Sequence, residues 1–532
     1  MGQRHAWICG AVTVLTLLSG AAHAVGADGA DIPSNVPPPP YQPPPLKDPQ
    51  RPLRLDARTL LQLSLAQNAE VLYARLQSQV AEQGVEAERD LYKPLAYGNV
   101  RREGRSRQRT VEERLTASLG GIGRLEETVL GAEVGVRVRA PTGAEVALAL
   151  RSTQRRNNII GSATFATGDS ESTGALVLSL RQPLLRGAGR GILETDLRVA
   201  MAEREINAWQ FRQQALRVGS DALSAYWQLW RARESQALRE AALDNARASA
   251  EDVQVRVNGG RLPPGAADES LAVVAARRAE LARGQQALFD AEARVRQMLD
   301  LPVEDGGWPL APLEDEATDM PAPSLAELSA KLPDARADWP PLRVAQLKKE
   351  QAQLRLNLAK NRKLPALDLQ ASYSTNSLVY GPLDAAQQTF RGRNPDWTIG
   401  VAIEVPIGED RRGNAEYRAQ QLKVEQAELE IHSVSQALAG DLYNRSAQLD
   451  ELRRELGLLR QELKARQALV DGVQQQYDVG VSAQARLLRL QADLLESRLR
   501  LVDAASRVAL AKVALQLVDG SLLSAFDVRI EE

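Results

Sequence analysis

Hydrophobic and polar positions along the chain follow two rhythms. The first is helical. From Asp56 to Arg89, the residues Leu61, Leu65, Val71, Leu72, Leu76 and Val80 return at three- and four-residue steps, so they share one helix face. The pattern ends near Pro94. A similar helix runs from Pro341 to Arg362 and ends at Pro365. The two prolines lie 271 residues apart, and at that offset Val71 aligns with Leu342, Ala74 with Ala345, Leu76 with Leu347, Ala81 with Ala352 and Val85 with Leu356. Matches of that number without a gap predict an internal repeat.

The second rhythm has a period of two. In Trp397–Val405, one face carries Trp397, Ile399, Val401, Ile403 and Val405, and the other Thr398, Gly400, Ala402 and Glu404. Leu367, Leu369, Ala371 and Tyr373 alternate with Asp368, Gln370 and Ser372. The alternating segment Leu176–Pro183 resembles Ile399–Pro406, and each ends at a proline. A half-buried strand of a soluble sheet and a barrel strand with one face in lipid share this signature.

After each strand pair comes a link rich in Gly and Arg, at Arg186–Gly191 and Gly408–Gly413, and then a long helical segment. From Pro183 to the break at Asn258-Gly259-Gly260 is 77 residues, and from Pro406 to Gly480 is 74. At about 1.5 Å per residue each would approach 110 Å, which no globular domain uses. Leu449, Leu452, Leu456, Leu459 and Leu463 step by three and four, and Leu216, Leu223, Trp230 and Ala237 by seven, the spacing of a coiled-coil seam. Return helices are predicted from about Asp268 to Leu299 and from about Ala485 to Leu517.

Composition changes the picture mainly by exclusion. The 532 residues carry 66 Lys and Arg against 68 Asp and Glu, a net charge of −2, which offers no basic excess for nucleic acid. Arg4, the apolar stretch Ala6–Leu18 and the triplet Ala22-His23-Ala24 read as a secretory signal over residues 1–24. The other reading, a membrane anchor, suffers from an apolar core shorter than a bilayer span. Removal after Ala24 would take away the single Cys, Cys9, and two of the three His, leaving His432. That excludes disulfides, Cys/His zinc sites and a cysteine nucleophile, and it leaves little for histidine catalysis. No Walker-type lysine motif follows either Gly-rich link. No enzyme, metal site or cofactor is expected. Eight prolines between Pro33 and Pro45 make residues 25–55 an extended arm or a loose N-terminus.

The order helix, strand, strand, long helix, tip and return helix resembles the TolC-like outer membrane efflux protein family. So does the local wording at Lys93-Pro94-Leu95, Leu364-Pro365-Ala366, Gln182-Pro183-Leu184, Val257-Asn258-Gly259-Gly260 and Tyr477-Asp478-Val479-Gly480-Val481. The resemblance covers about Leu55 to Phe526. It implies a mainly α protein with a membrane β-barrel, in which long antiparallel coiled-coil helices form an α-helical periplasmic tunnel below an outer-membrane barrel shared by a homotrimer. Residues 56–300 would be the first repeat, with strands at about 95–182 and a tip at 258–265. Residues 301–340 would be an equatorial connection. Residues 341–520 would be the second repeat, with strands at about 366–405 and a tip at 478–484, and residues 521–532 a tail. The implied function is a passive exit duct, supplied by an inner-membrane pump and a periplasmic adaptor. The alternative is an exported coiled-coil scaffold bridging envelope layers, which explains the helices but not the strands. The substrate class, whether drug, metal or secreted protein, stays open.

Three expectations follow. Gly259, Gly260, Val479, Gly480 and Val481 would form tips facing the adaptor. In the barrel, Pro94–Pro183 spans 89 residues against 41 for Pro365–Pro406, an excess of 48 that holds two further alternating segments. Val134, Val136 and Val138 lie on one side of the short turn Pro141-Thr142-Gly143, and Val146, Leu148 and Leu150 on the other. This hairpin would either join the barrel, giving six strands per protomer where the family has four, or stand above the membrane. The arginines at 101, 102, 105, 107 and 109 would face the lumen or an outer loop. Finally, the family's aperture carries aspartate rings just past the second tip, beside Tyr477; here Arg486 and Arg489 stand in those positions. They would line the aperture, with Asp268 and Glu269 pairing with Arg486 or Arg489, or else point to solvent or to the adaptor.

Overall fold

The computed structural model describes residues 53–111, 123–158, 170–300, 310–312, 339–379, 385, 388–391, 394–479 and 483–528. The secretory signal, all but the last three residues of the Pro-rich arm, most of the equatorial connection, and Gly480 and Val481 lie outside them.

A short parallel pair, β1 (Leu53–Leu55) with a later β6, opens the described chain. The expected helix from Asp56 to Arg89 is two helices, α1 (Ala57–Gln67) and α2 (Ala69–Arg89). Asn68 divides them. Its backbone is extended and its side-chain oxygen accepts from the Glu70 amide at 2.9 Å, so it caps α2 rather than continuing α1. Four strands follow: β2 (Leu95–Gln108), β3 (Arg124–Arg139), β4 (Glu145–Asn157) and β5 (Ser170–Pro183). One helical turn, α3 (Arg190–Leu193), leads into α4 (Thr195–Asn258), which turns back into α5 (Gly265–Met298). Beyond β6 (Leu310–Pro312) come α6 (Pro340–Arg362), β7 (Ala366–Val379), β8 (Pro395–Glu404), α7 (Arg411–Asp478), α8 (Gln484–Val518) and the turn α9 (Leu522–Ala525). With 64 residues in α4 and 68 in α7, the two long helices run close to 100 Å at about 1.5 Å per residue.

The six long strands make one antiparallel sheet in the order β2-β3-β4-β5-β7-β8. Near the sheet the helices pack side by side as α2, α4, α6 and α7; farther away the order is α5, α4, α8 and α7. The two arrangements meet at an apolar core. Tyr226 and Trp227 stack edge to face at 5.3 Å, and Trp227 and Trp230 at 6.0 Å. Around them pack Leu60 and Leu61 of α1, Leu438 and Leu442 of α7, and Ala504, Ala505, Val508 and Ala509 of α8. The seam residues Leu223, Trp230, Leu449 and Leu456 all belong to this core. Buried small residues on α8, Ala504, Ala505 and Ala509, let the helices approach closely around the aromatic rings.

Two strands exceed the segments that the alternation marks. β3 begins at Arg124 rather than near Val134, and β4 continues past Leu150 to Asn157. At that end both faces are polar, as in Glu126-Glu127 and Arg155-Arg156, so the period-two signal disappears although the backbone ladder persists.

Candidate functional site

The register of the sheet sorts its side chains onto two faces of opposite character. Val136, Leu148, Leu178, Tyr373 and Trp397 face one another in a single row across five strands. They are 47, 48, 46, 48 and 71% exposed, so no other described element is packed over this row. The next row holds Val138, Val146, Leu180, Ala371 and Ile399. The β3–β4 hairpin therefore carries this apolar face at the level of β5, β7 and β8.

The opposite face is polar and internally paired. Arg151 reaches Glu133 at 3.1 Å, Arg155 reaches Glu127 at 2.9 Å and Arg181 reaches Asp368 at 2.6 Å, each across neighbouring strands. The Tyr97 hydroxyl donates to Glu133 at 3.2 Å, and Arg137 lies 5.9 Å from the Tyr97 ring centroid. Gly135 makes room for that ring, because a β-carbon there would stand 2.7 Å from Tyr97 Cζ. Strand alternation puts Arg101, Arg105 and Arg107 on this polar face and Arg102 on the other, opposite Leu130 beyond the apolar rows. Arg109 follows the end of β2.

The sheet's ends differ as well. The turn between β3 and β4 lies against the helical half: the Gly189 amide donates to the Thr142 carbonyl at 3.1 Å, and Gln182 and Thr142 side chains bond at 2.8 Å. The longer connections after Gln108, Asn157 and Val379 all leave from the far end. Where sheet meets helix, Glu194 is 6% exposed and gathers three partners: Arg190 at 2.7 Å, the Tyr92 hydroxyl at 3.0 Å and Arg198 at 3.7 Å. The hydrogen bond from Arg190 is the main influence holding its carboxyl below the usual carboxylate range; desolvation opposes it and Tyr92 adds to it.

At the opposite end of the helices, α4 stops with Gly259 as its cap. Gly260 follows at φ +70°, a conformation that favours glycine, and the Arg261 amide closes the turn on the Arg256 carbonyl at 2.8 Å. Val479 ends α7 and is 75% exposed. Tyr477 is buried with Val473 and Leu487, and the Arg256 guanidinium sits 4.8 Å over its ring. Asp252 holds Arg256 from one turn back, at 2.9 Å. Burial raises the Tyr477 hydroxyl above its ordinary pKa, and Arg256 partly opposes the rise.

Arg486 and Arg489 project from the first turns of α8 and are exposed, as are Asp268 and Glu269 near the start of α5. Among the described residues these four form no ion pair with one another. The sequence reading did not single out Arg256, Asp252 or Glu194. Arg256 had one signal, a cation in the last turn of a long helix, where the helix dipole favours it.

Residues 332–521 match the family model of the outer membrane efflux proteins. The chain is 26% identical over 426 residues to the outer membrane efflux protein BepC of Brucella suis, covering 78% of this chain and 87% of that one. It is 27% identical over 409 residues to protein CyaE of Bordetella pertussis, covering 74% and 78%. Among solved structures, the fold is similar to a membrane protein from Pseudomonas aeruginosa, with a TM-score of 0.62 at 16% identity over 91% of this chain and 99% of that one. It is also similar to the outer membrane protein VceC of Vibrio cholerae, with a TM-score of 0.62 at 14% identity over 87% and 96%.

Proposed function

This chain belongs to the TolC-like outer membrane efflux protein family, and from that premise we propose that it is the exit duct of a tripartite efflux or secretion system. It resides in the outer membrane and reaches into the periplasm. Three copies close one barrel from their sheets and one tunnel from their helices, and substrate passes through without catalysis or cofactor. An inner-membrane pump and a periplasmic adaptor supply the substrate and the energy.

One observation carries this reading: the sheet exposes apolar rows across five strands and backs them with an ion-paired polar face. An apolar outside and a polar inside are what a barrel strand needs in lipid. The sheet is open, with β2 and β8 as its edges. Open edges cannot face hydrocarbon, so the strands must close with other copies. Because the sheet has six strands, β8 of one copy would meet β2 of the next antiparallel, and three copies would give eighteen strands. The helical layer has matching open sides. Tyr73, Leu76 and Val80 on α2 and Leu271 and Phe289 on α5 are exposed at one edge, and Leu422, Leu429, Leu458 and Leu469 on α7 at the other. A scaffold of coiled coils alone has no use for the apolar sheet.

The test is biochemical. Detergent-solubilised outer membranes should yield a heat-modifiable trimer of this chain; recovery as a soluble periplasmic protein would end the proposal. The adaptor reading rests on the exposed tips at Gly259, Gly260 and Val479; Gly480 and Val481, which follow in the sequence, lie outside the described residues. Val479→Trp should impair export while trimers persist, and unimpaired export would remove the adaptor from this site.

A further inference from the structure

The structure assigns a lipid-headgroup site to the foot of the sheet: a basic patch, built from the end of α6 and the start of α7, that takes the phosphate of an anionic phospholipid in the periplasmic leaflet. The inference rests on the outer-membrane duct proposed above.

The apolar row of β8 does not stop with the strand. Trp397, Ile399, Val401 and Ile403 lie on its apolar side, and the same alternation continues through Val405 to Ile407, all of them exposed. On β7, Ala366 pairs with Glu404 at the last rung of the ladder, and the exposed Leu364 lies two residues below it. This apolar margin is at the helical end of the sheet, opposite the long connections. In the duct it marks the periplasmic edge of the lipid band.

Below the margin the charge is positive. Lys360, Arg362 and Lys363 close α6 and are exposed. Arg411 and Arg412 open α7, with side chains 89 and 90% exposed. The Lys363 ammonium lies 4.7 Å from the ring centroid of Tyr417 on α7, so the two groups form one patch. Among the described residues, Lys360, Arg362 and Lys363 form no ion pair. Arg411 reaches Glu409 at 3.7 Å and Arg412 reaches Glu416 at 3.3 Å, but pairs this open to water hold little. Asp410 caps α7 through the Gly413 amide at 2.9 Å. Five cations thus meet three carboxylates, an excess of two in each copy. Glu404, beside the margin, is matched by Arg186 at 3.6 Å.

Helix stability accounts for only part of this patch. Cations suit the end of α6, where the helix dipole is negative. At the start of α7 the dipole is positive, and Arg411 and Arg412 stand against it. An anion from outside the chain answers both the dipole and the arginines. A guanidinium meets a phosphate through two parallel N–H donors, and a lysine adds a point charge. Ile407 and Leu364 then stand where the acyl chains of the same lipid begin. Free phosphate makes no use of that apolar margin, and the phosphates of lipopolysaccharide belong to the leaflet at the other end of the sheet.

Trimers of the full chain would be reconstituted in vesicles of phosphatidylglycerol and phosphatidylethanolamine in equal parts, with the same acyl chains. The lipids that stay bound would be counted by native mass spectrometry. Wild type should retain phosphatidylglycerol over phosphatidylethanolamine by about tenfold. Lys360→Gln/Lys363→Gln/Arg411→Gln/Arg412→Gln should bring the ratio close to one. Arg454→Gln/Lys464→Gln, exposed much farther along α7, should keep the wild-type ratio. Equal retention of the two lipids by wild-type trimers, or an unchanged preference in the fourfold variant, overturns the inference and leaves the duct reading intact. Inorganic phosphate should not remove the preference beyond what chloride does at the same ionic strength; if it does, the patch binds free phosphate and the lipid assignment falls. Displacement of phosphatidylglycerol by added lipopolysaccharide would likewise overturn the assignment to the periplasmic leaflet. Recovery of the chain only as a soluble protein fells the duct reading itself. If the fourfold variant does not form trimers, the wild-type ratio decides alone.

Discussion

The Arg256 guanidinium stands 4.8 Å over the ring of Tyr477, and this contact joins the two helical hairpins at their tips. It links the last turn of α4 to the last turn of α7. Cation–π pairs are worth about 0.5–2 kcal/mol, depending on how dry they are. The ring also packs on Val473 and Leu487. Tyr477→Phe keeps both interactions, so it should leave the resting channel unchanged. Tyr477→Ala and Arg256→Ala should each loosen the tips and raise spontaneous opening in planar-bilayer recordings. Equal opening in wild type and Arg256→Ala would show that the contact does not restrain the tips.

The same pair has a pH signature. Burial raises the Tyr477 hydroxyl above its value in the unfolded chain, so the neutral ring is the form that the fold favours. Its contribution is complete below the ordinary tyrosine value of about 10 and is lost as pH rises through the higher folded value. Resting closure should therefore be flat from neutral pH to about 10 and weaken above it. In Tyr477→Phe the weakening should be absent; its persistence would assign the alkaline opening to another group.

Glu194 makes the opposite prediction at the junction of sheet and helix. Arg190 holds its carboxyl below the ordinary range, so the contribution is complete above about pH 4.3 and is lost as pH falls through the depressed folded value. Trimer stability measured by thermal dissociation should drop on acidification below about pH 4. Glu194→Gln should dissociate at lower temperature at neutral pH and show a smaller acid-dependent drop. An unchanged acid profile would mean that Glu194 does not report the folded state.

Much of this architecture was legible in the chain because helices and strands write different periods. Leu449 and Leu456 mark a seam by spacing alone, and Val134 to Val138 mark a strand by alternation. Legibility failed where a polar residue acts through geometry. Asn68 breaks a helical pattern that its apolar neighbours continue, because its side chain caps Glu70. Arg124–Gly131 has no alternation, since both faces of β3 are wet there, and only pairing with β2 and β4 makes it a strand. Arg256 meets Tyr477 across more than two hundred residues of sequence, a proximity that no local spacing encodes.

Gly143 should be intolerant of any side chain. Its φ is +92°, and a β-carbon would stand 2.8 Å from the Gly187 carbonyl oxygen and 3.1 Å from Pro183 Cγ. The backbone conformation alone costs an L-residue about 1–2 kcal/mol, and the Gly187 carbonyl cannot rotate away as a side chain could. Gly143→Ala should lower the dissociation temperature of the trimer and its yield in outer membranes. Gly104, where a β-carbon meets nothing within 4 Å, is the control, and Gly104→Ala should behave as wild type. Equal yields for the two would show that the β3–β4 turn does not need its place against the helical junction.

The exposed arginines at the second tip carry the last prediction. Arg486 and Arg489 are three residues apart on α8, so they share a face, and neither pairs with Asp268 or Glu269 within the chain. In the proposed trimer, such pairing would cross between protomers. In a trimer the two positions bring six guanidinium groups toward one axis if that face lines the aperture. Like charges that close repel unless water or carboxylates intervene. The aperture should then prefer anions and resist block by divalent cations. Arg486→Asp/Arg489→Asp should invert the preference and create block by divalent cations, read as a reversed reversal potential and a reduced single-channel current. Asp268→Asn/Glu269→Gln should raise spontaneous opening if these carboxylates bridge protomers. Should selectivity and block both stay unchanged in the charge-reversed variant, the arginines face solvent or the adaptor, and the aperture is lined by other residues.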